Sequence, residues 1–95
     1  AAAIIQMTTE IPSDIEWVIR IDGHTDPLPI RTTYPSNWHL SAARAISVVN
    51  WMETLGVPSN RLVAAGFGQH YPIVSGRTEE AYAANRRIEL KLTSR

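Results

Sequence analysis

Residues 19–45 read IRIDGHTDPLPIRTTYPSNWHLSAARA, and the fold turns on how this stretch is read. Its first residues continue an alternation that starts at Glu16. Trp17, Ile19 and Ile21 fall on one side; Glu16, Val18, Arg20 and Asp22 fall on the other. A period of two predicts a strand with one buried face. Gly23 stops it where the backbone must turn. Pro27, Pro29 and Pro35 exclude helix and central strand from the segment that follows, and they stiffen a loop suited to walling a cleft. Ser36 or Asn37 can cap a helix. From Trp38 to Leu55 an apolar stripe of Trp38, Ala42, Ala45, Ile46, Val49 and Met52 opposes a wetter side of His39, Ala43, Ser47, Asn50 and Thr54. Arg44 lies on the flank with Leu40, Val48, Trp51 and Leu55, its stem on apolar surface and its head outward. Asp26, just past a strand, and Arg44, about two turns into a helix, thus present an anion and a cation to one cleft.

Working outward, Ala1 to Thr9 is Ala-rich with Ile4, Ile5 and Met7, and reads as the last turns of a helix that Pro12 ends. The chain opens without Met and in mid-helix, which predicts a fragment of something longer. Beyond the central helix, Gly56 and Pro58 form a stop signal. Leu62 to Ala65 is a short strand, and Gln69 to Thr78, with Pro72 and Gly76, is loop. Thr78 caps a short helix over Glu79–Asn85 whose first turn carries two acids. Arg87 to Thr93 alternates again, with Ile88, Leu90 and Leu92 inward and Glu89, Lys91 and Thr93 outward. The expected fold is one α+β domain over 1–95, a two-layer sandwich with helices on one face of a small mixed sheet.

Composition narrows the function. Ninety-five residues with nine basic and nine acidic side chains carry no net charge, which argues against a broad nucleic-acid or anionic-membrane footprint. Eight of the nine cations are Arg, the residue suited to bidentate capture of carboxylates. With no cysteine, disulfides and thiolate metal sites are excluded. No apolar run approaches the roughly 20 residues of a membrane helix.

GHTD at 23–26, SNWHLSAARA at 36–45, GVPSNRL at 56–62, GFG at 66–68 with Pro72-Ile73, and NRRIEL at 85–90 together resemble the OmpA-like peptidoglycan-binding domain. The Pro-rich insert and the Ser-Asn-Trp before Leu-Ser are most similar to its MotB branch of flagellar stator subunits. The resemblance implies a non-catalytic periplasmic domain that grips the cell wall, tethered to the inner or outer membrane by a segment upstream. It implies that Asp26 and Arg44 hold the diaminopimelate of the peptidoglycan stem peptide, with Thr25, Asn37 and Leu40 lining the pocket and Arg87 close by. It implies no cofactor and no metal. Two departures stand out. His39 replaces a common Glu and removes a capping box, and the family's first strand is missing from this chain, which is expected to begin inside the helix that follows it. Lacking that strand, the sheet is expected to expose an edge, which makes a homodimer by edge pairing a further expectation.

Diaminopimelate carries an ammonium and a carboxylate on one carbon, so a reader needs one anion and one planar donor fork. The competing reading is that Asp26 and Arg44 simply pair with each other. His24, Asp26 and Ser41 invite a hydrolase reading, yet no nucleophile-elbow glycines flank Ser41, which is expected to bond backbone near the helix start. His24 is expected to fix its turn by hydrogen bonding. His24, Asp26, His39 and His70 lack metal-ligand spacing. Asn85-Arg86-Arg87 is expected to make structural bonds, and Trp17, Trp38 and Trp51 to sit in the core.

Overall fold

A computed structural model describes residues 17–28 and 34–94. Strand β1 (Trp17–Gly23) leads to helix α1 (Asn37–Thr54), a 3₁₀ turn (Ser59–Arg61), strand β2 (Leu62–Gly66), helix α2 (Glu79–Asn85) and strand β3 (Ile88–Ser94). The sheet order is β2-β1-β3, with β1 parallel to β2 and antiparallel to β3. This is the expected small mixed sheet. The helix expected over Ala1–Thr9 and the residues around Pro29 lie outside the described residues.

The central strand is apolar toward α1. Trp17, Ile19 and Ile21 meet Ala45, Met52 and Val57 in one buried cluster, with Val48, Val49, Leu62 and Ile88 packed against it. Burying each large member contributes about 1.5–3 kcal/mol. The other side of β1 is not the wet face that alternation predicts. Asp22 is only 1 % exposed. It is reached by the Arg20 guanidinium through two bonds of 2.7 and 3.0 Å, with Lys91 Nζ 3.7 Å away. Charge pairing, not solvent, satisfies that face.

The buried stripe of α1 is Ser41, Ala45 and Met52. Trp38 and Ile46, expected inside, are about half exposed, and so is Trp51. Two close approaches set the rotation. A Cβ on Gly23 would lie 2.1 Å from the Ser41 carbonyl oxygen, and one on Gly66 would lie 2.8 Å from the Ala42 amide. Only a small side chain at 41 lets the helix come that near. Ser36 caps the helix by accepting the His39 amide at 3.3 Å, and the His39 ring returns to the same hydroxyl at 2.8 Å. At the far end Gly56, with φ of +99°, takes the left-handed turn, while the Val57 amide donates to Met52 O at 3.2 Å.

On β3, Leu90 and Leu92 are about two-fifths exposed, against the inward placement expected of them. The long helix packs chiefly over β2 and β1 and does not cover them.

Candidate functional site

The GHTD turn leaves β1 where the parallel pair ends, beside the N-terminus of α1. Three backbone bonds fasten it to both neighbours. The His24 amide donates to Arg87 O at 2.9 Å, the Thr25 amide to Gly68 O at 2.8 Å, and the Phe67 amide to Gly23 O at 3.0 Å. His24, Thr25 and Asp26 are consequently all buried, Asp26 at 9 % exposure.

Asp26 does not pair with Arg44. Its Oδ2 accepts from Arg86 Nη1 at 2.8 Å, and its Oδ1 accepts from the Leu28 amide at 3.1 Å. Arg86 in turn donates from Nη2 to Glu79 at 2.6 Å. Its guanidinium thus bridges two carboxylates, which raise its pKa, Glu79 first and Asp26 second. Arg44 is exposed on α1 and has no hydrogen bond or ion pair among the described residues. It lies seven residues beyond Asn37, about 10.5 Å along the axis and almost in line with it. Side chains on a helix lean in general toward its N-terminus, the end at which Asn37 bonds Asp26 O.

Asn37 ties these parts together. Its side-chain amide donates to Asp26 O at 3.3 Å, Leu28 O at 3.2 Å and Gln69 Oε1 at 2.9 Å, so the turn, the helix start and the loop after β2 share one clasp. Its Oδ1 is buried with no partner among the described residues. Thr25 Oγ1 donates to Asp26 O at 2.9 Å. Leu40, half-buried one turn on, donates its amide to Ser36 O. Beside Asp26 lies a cavity of about 230 Å³ lined by Thr25, Pro27, Gln69, Pro72, Val74 and Asn85, among others. Asn85 shapes its far wall, accepting the Ile73 and Val74 amides and donating to Val74 O.

Arg87 belongs elsewhere. It bonds Glu89 and Tyr71 O and lines a second cavity of about 360 Å³ with Arg20, Asp22, His24 and Lys91. The arginine that sequence reasoning missed is Arg86, one position earlier.

His24, Asp22 and Glu89 bring donor atoms within 4.8 Å of one another. That set could hold a cation, but Asp22 is already bonded to Arg20 and Glu89 to Arg87, so the arrangement is an ion-pair network. Arg87 holds the Glu89 carboxyl below its usual range. The His24 ring is fixed by stacking on Phe67 at 5.1 Å, not by the hydrogen bonding expected of it, and its Nδ1 has no hydrogen-bond partner among the described residues. Burial pushes its pKa down, assisted by the Arg87 charge. Ser41 is fully buried, donating to Trp38 O at 3.0 Å and accepting the Gly68 amide at 2.9 Å. A hydrolase reading thereby loses its nucleophile. Asn85 and Arg86 make the structural bonds expected of them.

Comparison with known proteins identifies the family and the fold. A profile of the OmpA family matches residues 2–86. Motility protein B of Bacillus subtilis is 37 % identical over 79 residues, covering 81 % of this chain and 30 % of that protein. The peptidoglycan-associated lipoprotein of Pseudomonas aeruginosa is 35 % identical over 71 residues, 75 % of this chain and 40 % of that protein. The crystal structure of the periplasmic domain of Helicobacter pylori MotB superposes with a TM-score of 0.83 at 27 % identity, over 96 % of this chain and 56 % of that one. The chain thus spans roughly a third of the length of the curated relatives it matches.

Proposed function

This chain belongs to the OmpA family, and from that premise we propose that it binds peptidoglycan non-covalently and anchors the protein that carries it to the cell wall. The ligand group is the zwitterionic carbon of diaminopimelate. Asp26 accepts from the ammonium, and Arg44 clamps the carboxylate through paired N–H bonds. Thr25, Asn37 and Leu40 frame the space between them, and Asn37 fixes the turn relative to the helix. The observation that supports the reading is the pairing pattern: the Asp26 carboxylate is held by Arg86 and the Leu28 amide, between Thr25 and Pro27, which line a cavity that Asp26 itself does not, while Arg44 stands exposed on α1. A cation with no partner among the described residues, carried on a helix, is available to a ligand. Each charge-assisted bond contributes about 1.5–3 kcal/mol, which after association costs gives about micromolar affinity. Repetition of the ligand along the polymer supplies avidity. The domain does no chemistry, and it faces the periplasm on a tether that precedes it.

The test is sedimentation of the domain with purified sacculi. Wild type is expected in the pellet, with Asp26→Ala and Arg44→Ala left in the supernatant while still folded by circular dichroism. Pelleting of both folded variants like wild type overturns the assignment.

A further inference from the structure

We propose that the face of the sheet turned away from α1 carries a small-anion site, a cleft in which Lys91, Arg20 and Arg87 hold one tetrahedral oxyanion of the phosphate class. It is separate from the Asp26 and Arg44 clasp and does not depend on the peptidoglycan reading. Ile19 and Ile21 give one side of β1 to the core, so Arg20 and Asp22 fall on the other. There the register sets like charges against each other. Arg20 stands directly across from Lys91, and Asp22 directly across from Glu89. Such pairs cost stability in an antiparallel ladder. The two rows offset each other through Arg20 with Asp22 and through Lys91 with both carboxylates, and Arg87 joins Glu89 from the next row. Three cations thus answer two carboxylates around one cavity of about 360 Å³. Burial keeps the His24 ring neutral at pH 7, so the cavity retains a surplus of one positive charge. Its volume is at the lower end for ligand clefts, which begin at about 300 Å³.

The donors left over decide the class of anion. Arg20 spends its Nε and Nη2 on Asp22, and Arg87 spends Nε on Glu89 and Nη2 on Tyr71 O. Neither guanidinium keeps the planar fork that captures a carboxylate. What remains is one Nη1 from each arginine and the Lys91 ammonium, which lies 3.7 Å from each carboxylate, beyond hydrogen-bond length. Single donors on three side chains suit the several oxygens of a tetrahedral ion. The lining residues also hold two unmet polar atoms. Arg87 Nη1 and His24 Nδ1 are buried with no hydrogen-bond partner among the described residues, and His24 is only 5 % exposed. Buried polar groups in that condition carry a cost that a bound partner removes.

Amide NMR titration of the chain with inorganic phosphate, against chloride at the same ionic strength of about 0.15 M, tests this. Wild type is expected to show saturable shifts centred on Arg20, Arg87 and Lys91, with Kd about millimolar. Lys91→Ala removes a half-exposed side chain; it is expected to weaken phosphate about fivefold and to leave the affinity for a diaminopimelate tripeptide unchanged. Sulfate is expected to compete, and acetate to bind about tenfold more weakly than phosphate. Glycerol phosphate and dimethyl phosphate as competitors identify the source: displacement by the diester points to a phosphodiester polymer, and displacement by the monoester alone to a soluble phosphate ester. Absence of saturable shifts in wild type, or shifts that Lys91→Ala leaves intact, overturns the site. Acetate binding as tightly as phosphate overturns the tetrahedral assignment. Should Lys91→Ala unfold, the wild-type comparison of phosphate with acetate still decides. Tripeptide affinity is read separately, so failure here leaves the clasp standing.

Discussion

Replacing Asp26 by Asn separates what this carboxylate does for the fold from what it does for the ligand. The substitution keeps shape and leaves an amide oxygen to accept the Leu28 amide, now bonded at 3.1 Å. It deletes the charge that accepts from Arg86 at 2.8 Å. A bond of that type contributes about 1.5–3 kcal/mol when shielded. Here the arginine side chain is 35 % exposed and keeps its second partner, Glu79. Solvent screening therefore brings the expected stability loss down to about 1 kcal/mol. For a domain of this size that lowers Tm by about 4–8 °C, and the variant should stay folded. Binding loses the ammonium acceptor outright, about 1.5–3 kcal/mol, so Kd for a diaminopimelate tripeptide should rise about tenfold to 150-fold. Urea unfolding gives the first quantity and calorimetry the second. A folded variant whose Kd changes less than twofold refutes the role of Asp26 in binding. A stability loss above about 4 kcal/mol shows the carboxylate to be structural.

Arg44→Ala should leave urea stability within about 0.5 kcal/mol, as expected of an exposed residue with no described partner, while weakening tripeptide binding at least tenfold. Gly23→Ala should cost about 3 kcal/mol or more, since the new Cβ would fall 2.1 Å from a backbone oxygen of α1; a near-neutral urea midpoint would contradict the packing described. Asn85→Ala strips partners from the Ile73 and Val74 amides and the Val74 carbonyl; it should cost about 2–4 kcal/mol and speed hydrogen exchange at both amides. His24 is depressed by burial, so the folded state binds its proton less readily than the unfolded chain. Its contribution is complete above about pH 6.5 and is lost as pH falls through the lower folded value. Glu89, also depressed, adds a loss of the same sign below about pH 4.5. Stability should therefore fall on acidification from pH 7 to 5, and His24→Gln should flatten that slope.

Signals confined to a few residues were legible in the sequence. The strand at β1, the Gly56 stop, the Ser36 and Thr78 caps and the bonding role of Ser41 each depend on near neighbours, and the structure shows all of them. The family motifs supplied the order of elements. What stayed hidden was set by register across distance. Asp26 and Arg86 are 60 positions apart, and side chains alternate across an extended backbone, so which of two adjacent arginines meets the carboxylate depends on how β3 aligns with β1. Periodicity likewise gave Trp38 the register of the buried stripe of α1 without saying that it would be half exposed. The buried charge on the second face of β1 escaped for the same reason, because alternation reports polarity and not whether ion pairs will seal it.

The central claim is that one zwitterionic carbon is held between a carboxylate on the turn and a guanidinium on the helix. The most direct measurement compares calorimetric affinities for two tripeptides that differ only in the third residue, diaminopimelate or lysine. Lysine keeps the side-chain ammonium and lacks the carboxylate beside it. The account predicts that wild type prefers the diaminopimelate peptide at least tenfold and that Arg44→Ala abolishes this preference. Equal affinity of wild type for the two peptides would contradict it.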